Sequence, residues 1–403
     1  MPEWIGTFKS RISIAAFFES GHGTVAGLLE WSNEGEAHLH DTSATLELAP
    51  EWVADLASDI RYWAAFHFGR DGTRRLYCRP IAARGETERH LRYRERYLRR
   101  WRIHQEIRRW FLNAGFLETD TPVRVPCPGM EPYLDTFAAG DRFLRTSPEL
   151  HMKRLLAAGF DPIFQIAPCF RAGDKGTQHR EEFLMLEWYR LFADLGHLVD
   201  DLGSLLTHLA PLSTDPEYFR RPPKIVRSVS LFREYLGLNL TDHTDPAPLR
   251  ACLEHKGMSW DPEDDWDTLY FLLFLNFIEP KLGLDAPTIV TDYPASQAAL
   301  AKKAPQRPGE LPTCYRFELY VHGGIELANA FYELTDADEQ RARFEADRAH
   351  RAALDKVVYA CDEDFLAALA GGLPPAAGIA LGVDRLTAAL LGERALAPIL
   401  PFG

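Results

Sequence analysis

Two stretches of this 403-residue chain alternate residue by residue on both sides of a turn, and no other feature of the sequence restricts the fold as tightly. In the first, Phe164–Phe170 and the alternation of Phe183 and Met185 with Leu184 and Leu186 flank a loop rich in glycine and charge, which predicts a long antiparallel hairpin. In the second, Phe317, Leu319 and Val321 alternate with Glu318 and Tyr320 before Gly323 and Gly324 turn the chain into Ile325, Glu326 and Leu327. If His322–Gly324 is a three-residue loop, Tyr320 stands opposite Glu326, so Glu318 and Glu326 share a face.

Around these hairpins, helical periodicity is expected near 148–158, 194–209, 246–255, 266–278, 336–355 and 384–392, with the proline-rich stretch 212–226 as a surface connection. Residues 91–403 therefore read as one catalytic domain. Residues 1–90 read as a separate β-rich module, with strands at Thr24–Glu30, Glu36–His40, Thr45–Leu48, Tyr62–Phe68 and Arg75–Ile81. Five strands in that order fit a small barrel of the oligonucleotide-binding type, with a generic β-rich cap as the alternative. Between the two regions lies a basic segment, Arg84–Arg109. Its Ile103, Ile107, Trp110 and Phe111 form one apolar helix face ahead of Gly115, and its arginines form either a solvated face or a surface for an acidic partner.

Composition narrows the function. The net charge of −13 repels phosphate backbones, and the first 90 residues carry one Lys and eight Arg against thirteen Asp and Glu, so tRNA is disfavoured as a partner. Six cysteines without a CxxC pair suggest neither a zinc site nor a disulfide framework. No apolar run of membrane-spanning length and no signal-peptide layout is present, which predicts a cytoplasmic protein with no membrane association.

Three segments bear chemistry. In the first hairpin, Arg171 enters the loop and His179 and Arg180 leave it; guanidinium groups pair bidentately with phosphate, so the loop either holds a nucleoside triphosphate or is a plain surface hairpin. In the second, Glu318 and Glu326 on one face repel unless a cation lies between them, and Mg²⁺ with ATP oxygens is the usual one. Solvated strand carboxylates are the alternative. In the third, residues 376–393, a small-residue strand reaches Gly382 and a helix carrying Arg385 in its first turn, an arrangement that stabilises phosphate or merely turns the chain.

Taken in order, FLETDTPV, FRAGDKGTQHREEFLMLEWYR and GIALGVDRL resemble motifs 1, 2 and 3 of the class II aminoacyl-tRNA synthetases. More narrowly, TSPELHMKRLLAAGF, MLEWYR, YPASQAAL, IELANAFYELTDA and ALGVDRL resemble the elongation factor P–lysine ligase family, a paralogue of lysyl-tRNA synthetase, over about residues 97–400. The resemblance implies an α+β fold with an antiparallel sheet flanked by helices, dimerised through motif 1. It implies ATP and Mg²⁺, a lysyl- or β-lysyl-adenylate, and an elongation factor P-like protein as acceptor of the acyl group. Arg171 then holds the α-phosphate and substrate carboxylate, and Glu149, within Ser147-Pro148-Glu149, the α-amino group. Glu187, Tyr189 and Glu333 form the pocket for the distal ammonium, and Asn329 is a pocket amide. Phe183 stacks on adenine, Glu318 and Glu326 hold Mg²⁺, and Glu326-Leu327, Gly382 and Arg385 contact the nucleotide. Ala380 stands where the synthetases have glycine.

Some positions depart from the family pattern. Its motif 2 Arg-Asn-Glu is here Arg171-Ala172-Gly173 with Asp174 next, and its His-Asn-Pro is His179-Arg180-Glu181. His179 is left between a phosphate contact and a loop-bracing role, and Arg180 stands where the family's Asn would contact nucleotide. The metal carboxylates lie eight apart rather than seven, which requires one extra turn residue. An aminoacylating enzyme acting on tRNA and a catalytically weakened regulatory paralogue are the competing expectations.

Overall fold

The computed structural model describes residues 11–32, 34–83, 87–241 and 245–400. The chain divides into two compact units at Arg99/Arg100, within the helix Thr87–Asn113.

In the first unit, helix α1 (Ile14–Ser20) precedes β1 (Gly23–Trp31), β2 (Ala37–His40), β3 (Thr45–Leu48), β4 (Ile60–Phe68) and β5 (Arg74–Ala83). All five expected strands form, with ends shifted by two residues at most. They pair antiparallel in the order β3-β2-β1-β4-β5 and bury Val25, Leu29, Leu39 and Phe66. Among the described residues no ladder joins β3 to β5.

The second unit continues from α2 (Thr87–Asn113), whose Ile103, Ile107 and Phe111 are buried and whose Trp110 packs against their cluster at its edge. Gly115, at φ +82°, lets the chain leave the helix through the left-handed region. There follow β6 (Leu117–Glu118), a small sheet of β7 (Arg124–Val125), β8 (Ala138–Ala139) and β9 (Arg142–Leu144), then α3 (Glu149–Ala157), β10 (Ile163–Phe170), β11 (Glu182–Leu191) and α4 (Leu195–Leu209). Asp194 caps α4 in a reciprocal pair with His197, and Leu198, Leu202, Leu205, Leu206 and Leu209 form its buried stripe. Beyond it lie β12 (Lys224–Arg227), α5 (Ser228–Leu236), α6 (Ala247–His255), α7 (Trp266–Leu273), β13 (Thr288–Thr291), β14 (Arg316–Val321), β15 (Ile325–Tyr332), α8 (Ala337–Ala353), α9 (Glu363–Ala370), β16 (Ala376–Gly382) and α10 (Val383–Leu390).

The central sheet has eight strands in the order β12-β13-β14-β15-β16-β11-β10-β6 and is antiparallel except for its two edge pairs. Every expected helix forms. The stretch 212–226 is more than a surface connection, however: Pro216–Arg220 is a short helix that buries Tyr218 and Phe219, proline being suited to its first turn. The helices α5 and α9 were not anticipated.

The two faces of the sheet have different jobs. On β11, Leu186 and Trp188 point into the main core with Phe164, Leu327, Ala328 and Ala330. Side chains alternate along a strand, so Phe183, Met185, Glu187 and Tyr189 all point the other way. That second face is the floor of the site.

Candidate active site

Two adjoining cavities open on this face. One, of about 370 Å³, is lined by Arg171, Asp174, His179, Arg180, Phe183, Glu326, Leu327, Asn329, Ala380, Gly382 and Arg385 among others. The second, of about 270 Å³, is lined by Ser147, Glu149, Glu187, Tyr189, Asn329, Glu333, Gly378 and Ala380, and it shares Arg171 with the first. Residues expected to meet nucleotide and residues expected to meet amino acid thus come together with Arg171 between them. Pro148 only begins α3, as its N-cap, and lines neither cavity. The Leu327 side chain is in the core, leaving its backbone at the cavity wall.

The second hairpin delivers its carboxylates through a bulge. Val321 pairs with Ile325 and Tyr320 with Glu326 around the loop His322–Gly324, but Leu319 pairs with Ala328 and Glu318 with Asn329. The extra residue is taken up in the strand, not in the turn. Leu327 and Ala328 both face the core, and the shift brings Asn329, three residues from Glu326, onto the same face as Glu326. Glu326 lines the larger cavity; burial and then Glu318 push its carboxyl upward, although 40% of the side chain remains open, which limits the effect. Glu318 shares the face but lines neither cavity. Tyr293 and Tyr320 each donate to its Oε2 at 2.5 Å, and Arg316 pairs with Oε1.

The loop of the first hairpin is self-bracing. Arg171 N donates to Glu181 O at 2.9 Å, and Gly173 N donates to Glu181 Oε1 at 3.0 Å, so the glutamate that departs from the family pattern holds the loop. Arg180 donates to Gly176 O (2.6 Å) and His179 O (2.8 Å), so in this state its guanidinium is engaged with the loop itself. The Arg171 guanidinium lies 5.1 Å from the Phe183 ring centroid, and its buried Nε has no hydrogen-bond partner. Arg385 donates to His179 Nε2 (2.7 Å), Glu326 O (3.1 Å) and Gln178 O (3.3 Å). His179 therefore braces Arg385, and burial followed by Arg385 lowers its pKa and favours the neutral ring. A Cβ on Gly382 would meet only the Arg385 side chain, at 3.7 Å, so the protein leaves room there. Asp384, beside it, is buried, accepts from Leu184 N at 3.0 Å and pairs with Arg100.

The amino-acid cavity is built from buried charge. Glu187 accepts from Ser147 Oγ and Tyr189 Oη, both at 2.7 Å, and burial followed by Glu149 pushes its carboxyl up to about 7. Glu333, 2% exposed, is pushed up to about 8 by burial despite Lys153. Lys153 Nζ forms an ion pair with Glu333 Oε2 at 2.5 Å, and Glu333 Oε1 has no hydrogen-bond partner. The same ammonium donates to Glu149 Oε1 at 2.6 Å. Gly378 is obligatory, because a Cβ there would stand 2.2 Å from the Tyr189 ring and 2.4 Å from Glu333 Oε1. Ala380, opposite both Glu187 and Asn329 in the sheet, sits at the junction of the cavities.

Residues 85–403 match the family model described as tRNA synthetases class II (D, K and N). A protein of Haemophilus influenzae (strain PittGG) named elongation factor P–(R)-β-lysine ligase is 39% identical over 317 residues, which is 76% of this chain and 94% of that protein. The chain belongs to the elongation factor P–lysine ligase family. Proteins of the same name from Klebsiella pneumoniae (strain 342) and Salmonella paratyphi B are 38% identical with the same coverage. Membership makes the chain an ATP-dependent ligase on a class II synthetase domain, a family that uses ATP and Mg²⁺. Among the described residues no helix is long and apolar enough to cross a membrane.

Sequence reasoning missed Lys153, Gly378 and Asp384. The first is four residues after Glu149 and reads as an ordinary helical ion pair. Gly378 reads as one more small residue in a small-residue strand.

Proposed function

We propose that the enzyme activates lysine or β-lysine with ATP as an adenylate and transfers the acyl group to a lysine side chain of an elongation factor P-like protein. The observation that carries this reading is Glu333, buried with its Oε1 unpartnered and its Oε2 against the Lys153 ammonium, in a cavity that also presents Glu187 and Tyr189. A cationic side chain supplies the partner that Oε1 lacks, whereas a neutral competitor leaves that oxygen unpaired. Glu149 receives the amino group nearer the carboxylate, Asn329 completes the wall, and the Ala380 methyl narrows the junction.

Arg171, shared by the two cavities, holds the substrate carboxylate against the α-phosphate. A carboxylate oxygen bonds to the α-phosphorus, the bond to the pyrophosphate oxygen breaks, and the charge developing on phosphate faces Arg171 and Arg385. In the second step the acceptor amine attacks the acyl carbon, AMP departs, and an amide forms. No protein nucleophile is required. Phe183 stacks on adenine, and Asp174, His179, Arg180, the Leu327 backbone and Gly382 frame the nucleotide. Of the two carboxylates on this face, Glu326 lines the nucleotide cavity and would hold Mg²⁺, whereas Glu318, which lies outside both cavities with its oxygens engaged by Tyr293, Tyr320 and Arg316, would join it only by exchanging those partners; the ion would supply neutralisation of the phosphates. Among the described residues no group of three or more His, Cys, Asp or Glu is arranged to hold a metal, so ATP oxygens would complete its coordination.

Leu112, Leu117 and Val123, exposed around motif 1, support a homodimer, and the reading carries a cytoplasmic enzyme. The test supplies radiolabelled lysine or β-lysine, ATP and enzyme to elongation factor P and, separately, to tRNA. Acid-stable label is expected on the protein, because an amide resists conditions that cleave an ester. The order β3-β2-β1-β4-β5, with β1 between β2 and β4, favours tRNA as the second reading, and base-labile label on tRNA alone would replace the first with it.

A further inference from the structure

A buried cation behind the wall of the amino-acid cavity, in contact with two of its carboxylates, has no part in the reaction as described. The Lys153 side chain is 1% exposed, as is that of Glu333, and its ammonium stands 2.6 Å from Glu149 Oε1 and 2.5 Å from Glu333 Oε2. An unpaired ammonium is costly to bury, and a pair of carboxylates in contact offsets that cost. Burial works against the charge on Lys153, but Glu149 and Glu333 outweigh it and raise its pKa. The contact ties α3 to the end of β15, the two elements that carry the acceptors proposed for the two substrate amines.

We propose that Lys153 is a positioning residue that matches the cavity, in charge and in acceptor spacing, to an amino acid bearing two ammonium groups. The inference rests on the proposed use of lysine or β-lysine. Three carboxylates, Glu149, Glu187 and Glu333, line the cavity, Lys153 contacts two of them, and the Arg316 guanidinium of the same lining is paired with Glu318, so carboxylate acceptors outnumber the cations left to meet them and substrate ammoniums favour their ionised form. The substrate carboxylate is met separately by Arg171. Among the other groups facing the cavity, Glu131 approaches Glu149 with its carboxyl pushed up by burial, and Tyr189 is uncharged with its pKa raised by burial. By bridging Glu149 and Glu333, Lys153 also fixes the distance between the two acceptors. A monoamine of the same length satisfies one acceptor and leaves the other bare.

The test compares Lys153→Met, which removes the charge at similar length, with Lys153→Arg, which keeps it. Amino-acid-dependent pyrophosphate exchange is measured against lysine, β-lysine and the monoamines norleucine and 6-aminohexanoate, at several pH values. In Lys153→Met the KM for the diamino acid should rise about 100-fold with the KM for ATP within about threefold, since a buried charge pair has lost one partner. Preference for diamino acid over monoamine should shrink, and the acid limb of kcat/KM should move upward by about one pH unit, because the remaining carboxylates lose the cation that favours their ionised form. Lys153→Arg should recover the pH limb and most of the discrimination. Unchanged discrimination and pH limb in Lys153→Met, with both KM values altered alike and a lowered Tm, would show a structural brace and overturn the proposal. Calorimetry without ATP separates this from the activity itself. A wild type that binds lysine isomers but exchanges no pyrophosphate overturns the activity, and the variants' binding constants then decide the role of Lys153. A wild type that binds none overturns both.

Discussion

Glu333 concentrates the chemistry of the site in one carboxylate: buried, with Oε2 against one lysine and Oε1 unpartnered. Losing a charged partner costs about 2–5 kcal/mol, so Glu333→Ala should lower kcat/KM for lysine or β-lysine in pyrophosphate exchange by roughly two to three orders of magnitude. Undiminished exchange removes Glu333 from the pocket. The raised carboxyls also give the empty enzyme a pH signature. Glu187 and Glu333 are shifted from an ordinary 4.5 up to about 7 and about 8, so between those limits the folded state holds protons that the unfolded chain has released. Their contribution to stability is present below pH 4.5 and is lost as pH rises through 7 to 8. Melting scans of the empty enzyme should show Tm falling over that window, and saturating lysine should restore more of it at pH 8 than at pH 6. A Tm gain from lysine that is greater at the lower pH contradicts these assignments.

Along the strands, β11, β15 and β16 place their side chains by parity, and glycine clears the space between them. Gly378→Ala puts a methyl against the Tyr189 ring and Glu333 Oε1. Overpacking of this kind costs about 1–3 kcal/mol, so kcat/KM for the amino acid should fall about 5- to 150-fold with the KM for ATP unchanged. Equal loss for both substrates would place the strain elsewhere. How much of this was legible follows from the same parity. Period two was enough to pair Tyr320 with Glu326 and to align Phe183, Met185, Glu187 and Tyr189, and the apolar pair Leu327-Ala328, which interrupts the alternation of β15, marks the bulge once one looks for it. Lys153 was not legible, because helix spacing reports neighbours and not depth. Glu149 and Lys153 at i, i+4 look like a surface pair until tertiary packing closes over them. Asp384 was hidden for a similar reason, its partners Leu184 and Arg100 being set by the meeting of distant segments.

For the molecule as a whole, the two cavities are not independent, since Arg171 belongs to both and its guanidinium lies 5.1 Å from the Phe183 ring centroid. The ring face proposed for adenine is thus covered by the group proposed to receive the amino acid's carboxylate. A base stacked on that ring would take the guanidinium's place and free it for the carboxylate, which predicts entry in sequence, ATP first and the amino acid second. Initial-rate measurements should show the apparent KM for lysine or β-lysine falling as ATP approaches saturation, and Phe183→Ala, which leaves the guanidinium no perch, should abolish that dependence. An amino-acid KM indifferent to ATP in the wild type would mean that the arginine moves without being asked.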